Sequence, residues 1–408
     1  MDPSEGCARM LAGLVQASHL SAMEQLPALV QEHAAHAGLY DVLIYLTDLQ
    51  REVLRLLTGH GTNAGEDADP ELAELRIDGT LAGRAFQDVR VLPKQGVGGV
   101  DWWWVPLLDG TERLGMLRIS AREADERTQQ NMRHLASVVA LMVVSKRGHS
   151  DSYARLVRTR PMNVAAEMQW NLLPPLTFAN EEVVIAAALE PAYEIGGDAF
   201  EYALAGEKVH LSIFDAMGHD ASAGLTSNLA LAACRNYRRQ GADLIRVSEG
   251  IEEVLIEEFG LANRFATAIL AELNTRTGMF SWVNRGHHPP VVIRGGRWTT
   301  SLQCPPAHPM GLDLGLPVTL CGEQLEPGDR VLLYTDGITE ARNSKGQEFG
   351  LERFVDFIIR RSADGLPVPE TLRRLIRSVL EYHDGLLQDD ASVLFVEWHG
   401  GGHRKLRL

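Results

Sequence analysis

Two apolar runs in the second half of the chain, Leu211-Ser212-Ile213-Phe214 and Val331-Leu332-Leu333-Tyr334, each lead into an aspartate with glycine close behind. The sequences are Asp215-Ala216-Met217-Gly218 and Thr335-Asp336-Gly337. Short apolar runs bounded by turn residues read as buried strands, so each terminal carboxylate is held at the margin of a core. Asp198, after Gly196-Gly197, and Asp389, before Asp390, sit at comparable places. Carboxylates gathered along one edge resist ionisation unless a cation balances them. An oxygen-only donor set favours hard ions, Mg2+, Mn2+ or Ca2+, over Zn2+. Two such ions about 3.5–4 Å apart can share one water and lower its pKa for attack on phosphorus. A single Asp-Gly is more often a turn; the case rests on four such aspartates in one domain.

Composition narrows the alternatives. At 408 residues the chain is too long for one ordinary core and divides into two or three domains. Its 54 acidic against 39 basic residues give a net charge of −15, which argues against coating nucleic acid or an anionic membrane. No stretch approaches the ~20 apolar residues of a membrane span, and the polar start, Met1-Asp2-Pro3-Ser4-Glu5-Gly6, is no secretory signal. Cys7, Cys234, Cys304 and Cys321 form no C-x-x-C pair and read as reduced thiols of a cytoplasmic protein.

Residues 10–147 read as one α+β unit: a long amphipathic helix ending near Gly38, strands over 41–47 and 53–57, and a short helix at 81–86. Strands at 102–107 and 114–119 and an exit helix over 125–146 complete it. Trp102-Trp103-Trp104 either stacks on an aromatic ligand or turns its rings alternately to core and interface. The apolar face of the exit helix, Met132 to Val144, suggests a homodimer contact. Residues 148–180, with a helix over 163–173 stopped by Pro174-Pro175, read as a connector that is either mechanical or passive. In 181–398, strands fall at 183–189, 209–214, 268–273, 280–283, 291–293, 318–320, 331–334 and 392–398, with helices at 221–239, 244–258, 351–361 and 370–382. Grouped strands with interposed helix pairs indicate sheet layers covered by helices.

The order of motifs carries a resemblance. Gln169-Trp170-Asn171-Leu172-Leu173-Pro174, Glu190-Pro191 through Gly196-Gly197-Asp198, and Asp215-Ala216-Met217-Gly218-His219 come first. Phe265-Ala266-Thr267, Asn284-Arg285-Gly286-His287-His288-Pro289-Pro290, Leu325 through Ala341, and Gln388-Asp389-Asp390-Ala391-Ser392-Val393 follow. From about Gln169 to Val396 the chain resembles the metal-dependent protein phosphatases (PPM, type 2C) of the bacterial stage-II-sporulation and sigma-regulator branch. The layout of residues 10–147, with its Val105-to-Ser120 hairpin, resembles a GAF sensor domain.

The resemblance implies an α+β fold, a carboxy-terminal α-β-β-α sandwich of two antiparallel sheets flanked by helices, behind a GAF-like domain. It implies a phosphoserine/phosphothreonine phosphatase with two Mn2+ or Mg2+ ions, acting on an anti-sigma-factor antagonist and controlled by a small ligand or signal at the sensor. Asp215 would bridge the ions and the Ala216 carbonyl would serve where glycine is usual. Asp198, Asp336 and Asp389 would complete the site, with Asp390 a supporting group. His219 either protonates the leaving group or orients the turn. Departures are Glu201 where many relatives have Asp, Ala216 for Gly (which requires a negative φ), and Asp220 where Gly is frequent. Arg285 is better placed for a structural contact than for phosphate. Gly196-Gly197-Asp198-Ala199-Phe200 nearly spells a diguanylate cyclase signature, but Ala199 stands where that enzyme needs an acid. A catalytically silent scaffold is the other alternative, and the intact acidic set argues against it.

Overall fold

The computed structural model describes residues 3–94, 101–121, 123, 125–194, 196–218, 220–260, 264–363, 366–383, 387 and 389–400. The chain forms two compact units, Met1–Pro161 and Met162–Leu408.

The first unit opens with α1 (Pro3–Ser18) and α2 (Leu26–Ala34), two helices where the periodicity suggests one, with the chain turning at His19-Leu20-Ser21 between them. Then come β1 (Leu39–Thr47), β2 (Val53–Leu57), α3 (Pro70–Ala73), β3 (Glu74–Arg76), α4 (Leu81–Asp88), β4 (Leu92–Lys94), β5 (Trp102–Asp109) and β6 (Glu112–Ala121). The long α5 (Glu126–Arg147) and short α6 (Asp151–Val157) close the unit. Its six strands form an antiparallel sheet in the order β3-β2-β1-β6-β5-β4. One face packs on α1, α2 and α5 through Leu14, Val30, Ile44, Leu117, Leu135 and Val139; the other packs on α4 through Tyr45, Phe86, Trp104 and Met116. Strand alternation sends Trp103 to the first core and Trp104 to the second, while Lys94 and Arg118 lie over the ring of Trp102. The face of α5 suggested as a dimer contact is spent inside the unit: Met132, Leu135, Val139, Met142 and Val143 are buried in its core, leaving Leu141 exposed.

The segment suggested as a connector is divided between the units. Leu156 and Val157 of α6 join the first core, and Arg55 donates to the Leu156 and Arg158 carbonyls at 2.8 and 3.1 Å. The helix α7 (Val164–Leu172) belongs to the second unit.

That unit continues with β7 (Thr177–Ala179), β8 (Val183–Glu190), β9 (Asp198–Ala205), β10 (Lys208–Ala216), α8 (Ala221–Arg239), α9 (Leu244–Phe259), β11 (Ala266–Asn274) and β12 (Met279–Arg285). After these come β13 (Val291–Arg294), β14 (Trp298–Ser301), β15 (Cys321–Gln324), β16 (Arg330–Tyr334), α10 (Asp336–Thr339), α11 (Leu351–Ala363), α12 (Val368–Tyr382) and β17 (Ala391–Trp398). Two antiparallel sheets result, β15-β12-β11-β10-β9 and β14-β13-β16-β17-β8-β7. Between them lie Ile185, Phe200, Leu211, Ile213, Ile269, Phe280, Leu333 and Leu394. The first sheet's outer face packs on α8 and α9 through Phe214, Leu231, Ile251 and Leu270; the second packs on α11 and α12 through Leu332, Phe354, Leu375 and Phe395. Each large side chain buried here contributes about 1.5–3 kcal/mol. The result is the α-β-β-α sandwich that the motif order implied.

One expectation fails. Cys304 and Cys321 are not free thiols but a disulfide, their Cα atoms 5.9 Å apart. They are 17 positions apart in sequence, and it is the return of the chain into edge strand β15 that brings them together. Cys234 stays free and buried, its thiol pushed up to about 11 by desolvation, which makes it unreactive.

Candidate active site

The aspartates meet because of register. Asp198, the first residue of β9, pairs directly with Asp215 near the end of β10. In the other sheet β16 runs out at Tyr334, placing Thr335 and Asp336 beside Asp389 and Asp390, which precede β17. Both pairs of strand ends lie at one edge of the sandwich, and hydrogen bonds tie the sheets together there. Thr335 Oγ1 donates to Asp198 Oδ2 at 2.6 Å, and the Ser392 amide donates to Thr335 Oγ1 at 2.8 Å. One oxygen of Asp390 accepts from three consecutive backbone amides, Gly196, Gly197 and Asp198, at 2.8, 2.6 and 3.2 Å. Asp390 is therefore an anchor for the loop that presents Asp198.

Glycine is required where these segments touch. A Cβ on Gly197 would come 2.3 Å from the Ala216 carbonyl oxygen, and one on Gly337 would come 2.0 Å from the Asp390 carbonyl oxygen. Ala216 itself lies in β10, pairs with Ala266 and avoids the left-handed region, so alanine replaces glycine without strain.

A buried imidazole braces the site from below. His287 Nε2 faces the Tyr334 carbonyl at 3.0 Å and must donate to it; His287 Nδ1 then accepts from Thr267 Oγ1 at 2.7 Å. Thr267 is the register partner of Asp215 on β11. Asn284 brackets the His287 backbone on both sides, at 2.8 and 2.9 Å. Burial, with the neighbouring His288 charge, lowers the His287 pKa to about 3, so the ring stays neutral.

The electrostatics are those of crowded, buried carboxylates. Burial, then the charges of Asp215 and Asp390, raise Asp198 well above the usual carboxylate range; it is 2% exposed. Burial, then Asp336, Asp389 and Asp390, raise Asp215 to about 7. Asp390, 4% exposed, is raised by burial even though its three amide donors work the other way. Among the described residues no three His, Cys, Asp or Glu side chains are drawn closely enough together to hold an ion as they stand. The carboxylates nonetheless lie within one another's electrostatic field.

His219 lies outside the described residues. Asp220 is the N-cap of α8, accepting from the Ser222 and Ala223 amides at 3.0 and 2.9 Å, which lowers its pKa. Glu201 points away from the aspartates and is buried against Arg235 and Arg238 of α8. Arg285, 1% exposed, is bonded to Glu252 and to Ser248, which makes it a structural group. Gln169 and Thr335 escaped the sequence reading as site groups, although both lie inside the motifs it singled out.

Residues 205–399 match the family described as Stage II sporulation protein E (SpoIIE). The phosphoserine phosphatase RsbU of Bacillus subtilis is 23% identical over 235 residues, covering 57% of this chain and 68% of that protein. The phosphoserine phosphatase RsbP of the same organism is 26% identical over 190 residues, 46% of this chain and 47% of that one. Among solved structures, the SiaA PP2C domain of Pseudomonas aeruginosa aligns with a TM-score of 0.48 at 20% identity, covering 57% of this chain and 94% of that one. The sandwich and its acidic edge define a PP2C-type protein phosphatase domain. Within that class it is residues 205–399, in the carboxy-terminal unit, that match the SpoIIE family, and the match leaves residues 1–204 outside it. Among the described residues no helix is long and apolar enough to cross a membrane.

Proposed function

We propose that the chain removes phosphate from phosphoserine or phosphothreonine on a regulatory protein of the anti-sigma-factor-antagonist type, under control of a GAF-like sensor at residues 10–147. The observation that carries this reading is the convergence of Asp198, Asp215, Asp336, Asp389 and Asp390 at one edge of the sandwich, where burial and the neighbouring carboxylates raise the pKa of Asp198 and Asp215. A hard divalent cation is what such a donor set fits. Asp198, Asp215, Asp336, Asp389 and the Ala216 carbonyl would hold two such ions, Mn2+ or Mg2+. Bound there, the ions supply a hydrolytic water of lowered pKa and positive charge opposite the phosphoryl oxygens.

The chain's own residues position these groups. Asp390 fixes the Gly196–Asp198 backbone, Thr335 orients the Asp198 carboxylate, and His287 ties β11, the strand paired with that of Asp215, to the end of β16 that delivers Asp336. His219 follows Asp215 by four positions and is kept as proton donor or turn-former. The names of RsbU and RsbP, both phosphoserine phosphatases, support the substrate class.

The test is phosphate release from para-nitrophenyl phosphate and from a phosphoserine peptide, with Mn2+ titrated. The full chain should be metal-dependent, and Asp215→Asn should lose about a hundredfold or more. An Asp215→Asn protein as active as the parent would sink the reading, and a parent inert towards both compounds would favour the scaffold.

A further inference from the structure

Gln169 on α7 is fully buried. Its side-chain amide donates to the backbone carbonyl of Asp198 and, at 3.0 Å, to Ser227 Oγ on α8. The carbonyl can only accept, so the atom facing it is the nitrogen, and the amide orientation follows. Its oxygen, Oε1, is then left buried without a hydrogen-bond partner. An unmet buried acceptor costs about 1–3 kcal/mol, and a leucine or methionine would fill the same space without it. Packing alone therefore does not account for glutamine here.

The geometry around it is specific. One turn earlier on α7, Ala165 lies against Gly224 of α8 so closely that a Cβ on Gly224 would meet the Ala165 Cβ at 2.7 Å. Residues 165 and 169 thus form one face of α7, and residues 224 and 227 form the facing strip of α8. The helix α8 begins five residues after Ala216, and β9 begins at Asp198. Gln169 is bonded to both at once. Asp198 is consequently held at three points: its amide by Asp390, its carboxylate by Thr335, and its carbonyl by Gln169.

We propose that Gln169 is a positioning residue of the metal site, fixing the Asp198 backbone against α8 so that its carboxylate stands at the height of Asp215. This rests on the metal-dependent reading above. The prediction is a change in metal affinity, not only in stability. Trp170, the next residue, also anchors α7, donating from Nε1 to the Ala192 carbonyl at 2.7 Å without touching Asp198 or α8 through that bond. It separates the docking of the helix from the positioning of Asp198.

The experiment uses the full chain and two readouts: the Mn2+ dependence of the thermal midpoint, and the Mn2+ dependence of phosphate release with KM for para-nitrophenyl phosphate measured alongside. Gln169→Met should raise half-saturating Mn2+ about tenfold in both readouts, with KM for the aryl phosphate unchanged. Ser227→Ala, which keeps the Asp198 bond, should raise it two- to threefold and serves where Gln169→Met does not fold. Trp170→Phe should lower the metal-free midpoint and leave half-saturation within twofold. Equal shifts for Gln169→Met and Trp170→Phe, or none for Gln169→Met and Ser227→Ala, would overturn the positioning role while leaving the phosphatase reading intact. A parent chain whose melting and activity both ignore Mn2+ would instead overturn that reading and this one with it.

Discussion

His287 shows how much a single side chain can carry that its motif does not spell out. The stretch Asn284-Arg285-Gly286-His287 announces a turn and invites thoughts of catalysis, yet the imidazole is a neutral brace between Thr267 and the Tyr334 carbonyl. Its folded pKa of about 3 lies below the ordinary 6.5. Between those values the unfolded chain binds a proton that the folded chain refuses. The stability this group contributes is therefore complete above pH 6.5 and is lost as pH falls towards 3, by about 1.4 kcal/mol per unit. His287→Gln should be less stable than the parent at pH 8 by roughly 1–2 kcal/mol, and the gap should close or reverse by pH 5. Urea midpoints of both proteins at the two pH values measure this, and a gap that stays constant would refute a buried neutral imidazole. The aspartates were legible as residues because each follows an apolar strand or a glycine pair. Gln169 and Thr335 were not, because a hydrogen bond to a carbonyl or a carboxylate across the fold leaves no local pattern.

At the level of elements, legibility followed the strength of the local signal. The helices α8, α9, α11 and α12 fall where 3.6-residue periodicity placed them, within two or three residues. The strand β9 was hidden, since Gly196-Gly197-Asp198 reads as a turn and Glu201 interrupts the apolar run. Its burial is made possible by Arg235 and Arg238, which neutralise Glu201 from α8. The edge strand β15 is polar and lies at 321–324, whereas the apolar signal sits just before it at 318–320. The loop into β9 also yields a prediction. Gly197→Ala puts a methyl group 2.3 Å from one backbone oxygen and 2.7 Å from another, neither of which can swing away. It should cost about 1–3 kcal/mol and weaken the Mn2+-induced rise in thermal midpoint. Gly322→Ala in β15, whose added methyl would meet nothing nearer than 3.6 Å, should be close to neutral in both. Equal behaviour of the two variants would mean that the Gly197 loop relaxes at no cost.

For the molecule as a whole, the sequence pointed to a connector over 148–180, but the contacts divide the chain at 161 and 162. The reason is physical: α6 is spent on the first core, whereas α7 is bonded into the second unit through Gln169, Trp170 and the amide of Asn163, which donates to the Tyr193 carbonyl at 2.9 Å. The three large cores of the second unit contain no residue from before 162. A fragment 162–408 should therefore unfold in one cooperative transition and keep the metal-dependent rise in midpoint. A fragment that begins at 181 discards α7 and β7. It loses Gln169, leaves Tyr202 Oη without the Pro175 carbonyl it donates to at 2.7 Å, and bares the edge of β8. Such an edge, unpaired and apolar, favours association. The shorter fragment should melt lower, need more Mn2+ for the same rise, and aggregate more readily. If 162–408 fails to unfold cooperatively, or if removing 162–180 changes neither the midpoint nor the metal response, then α7 is a passive tether and the boundary of the catalytic unit lies after it.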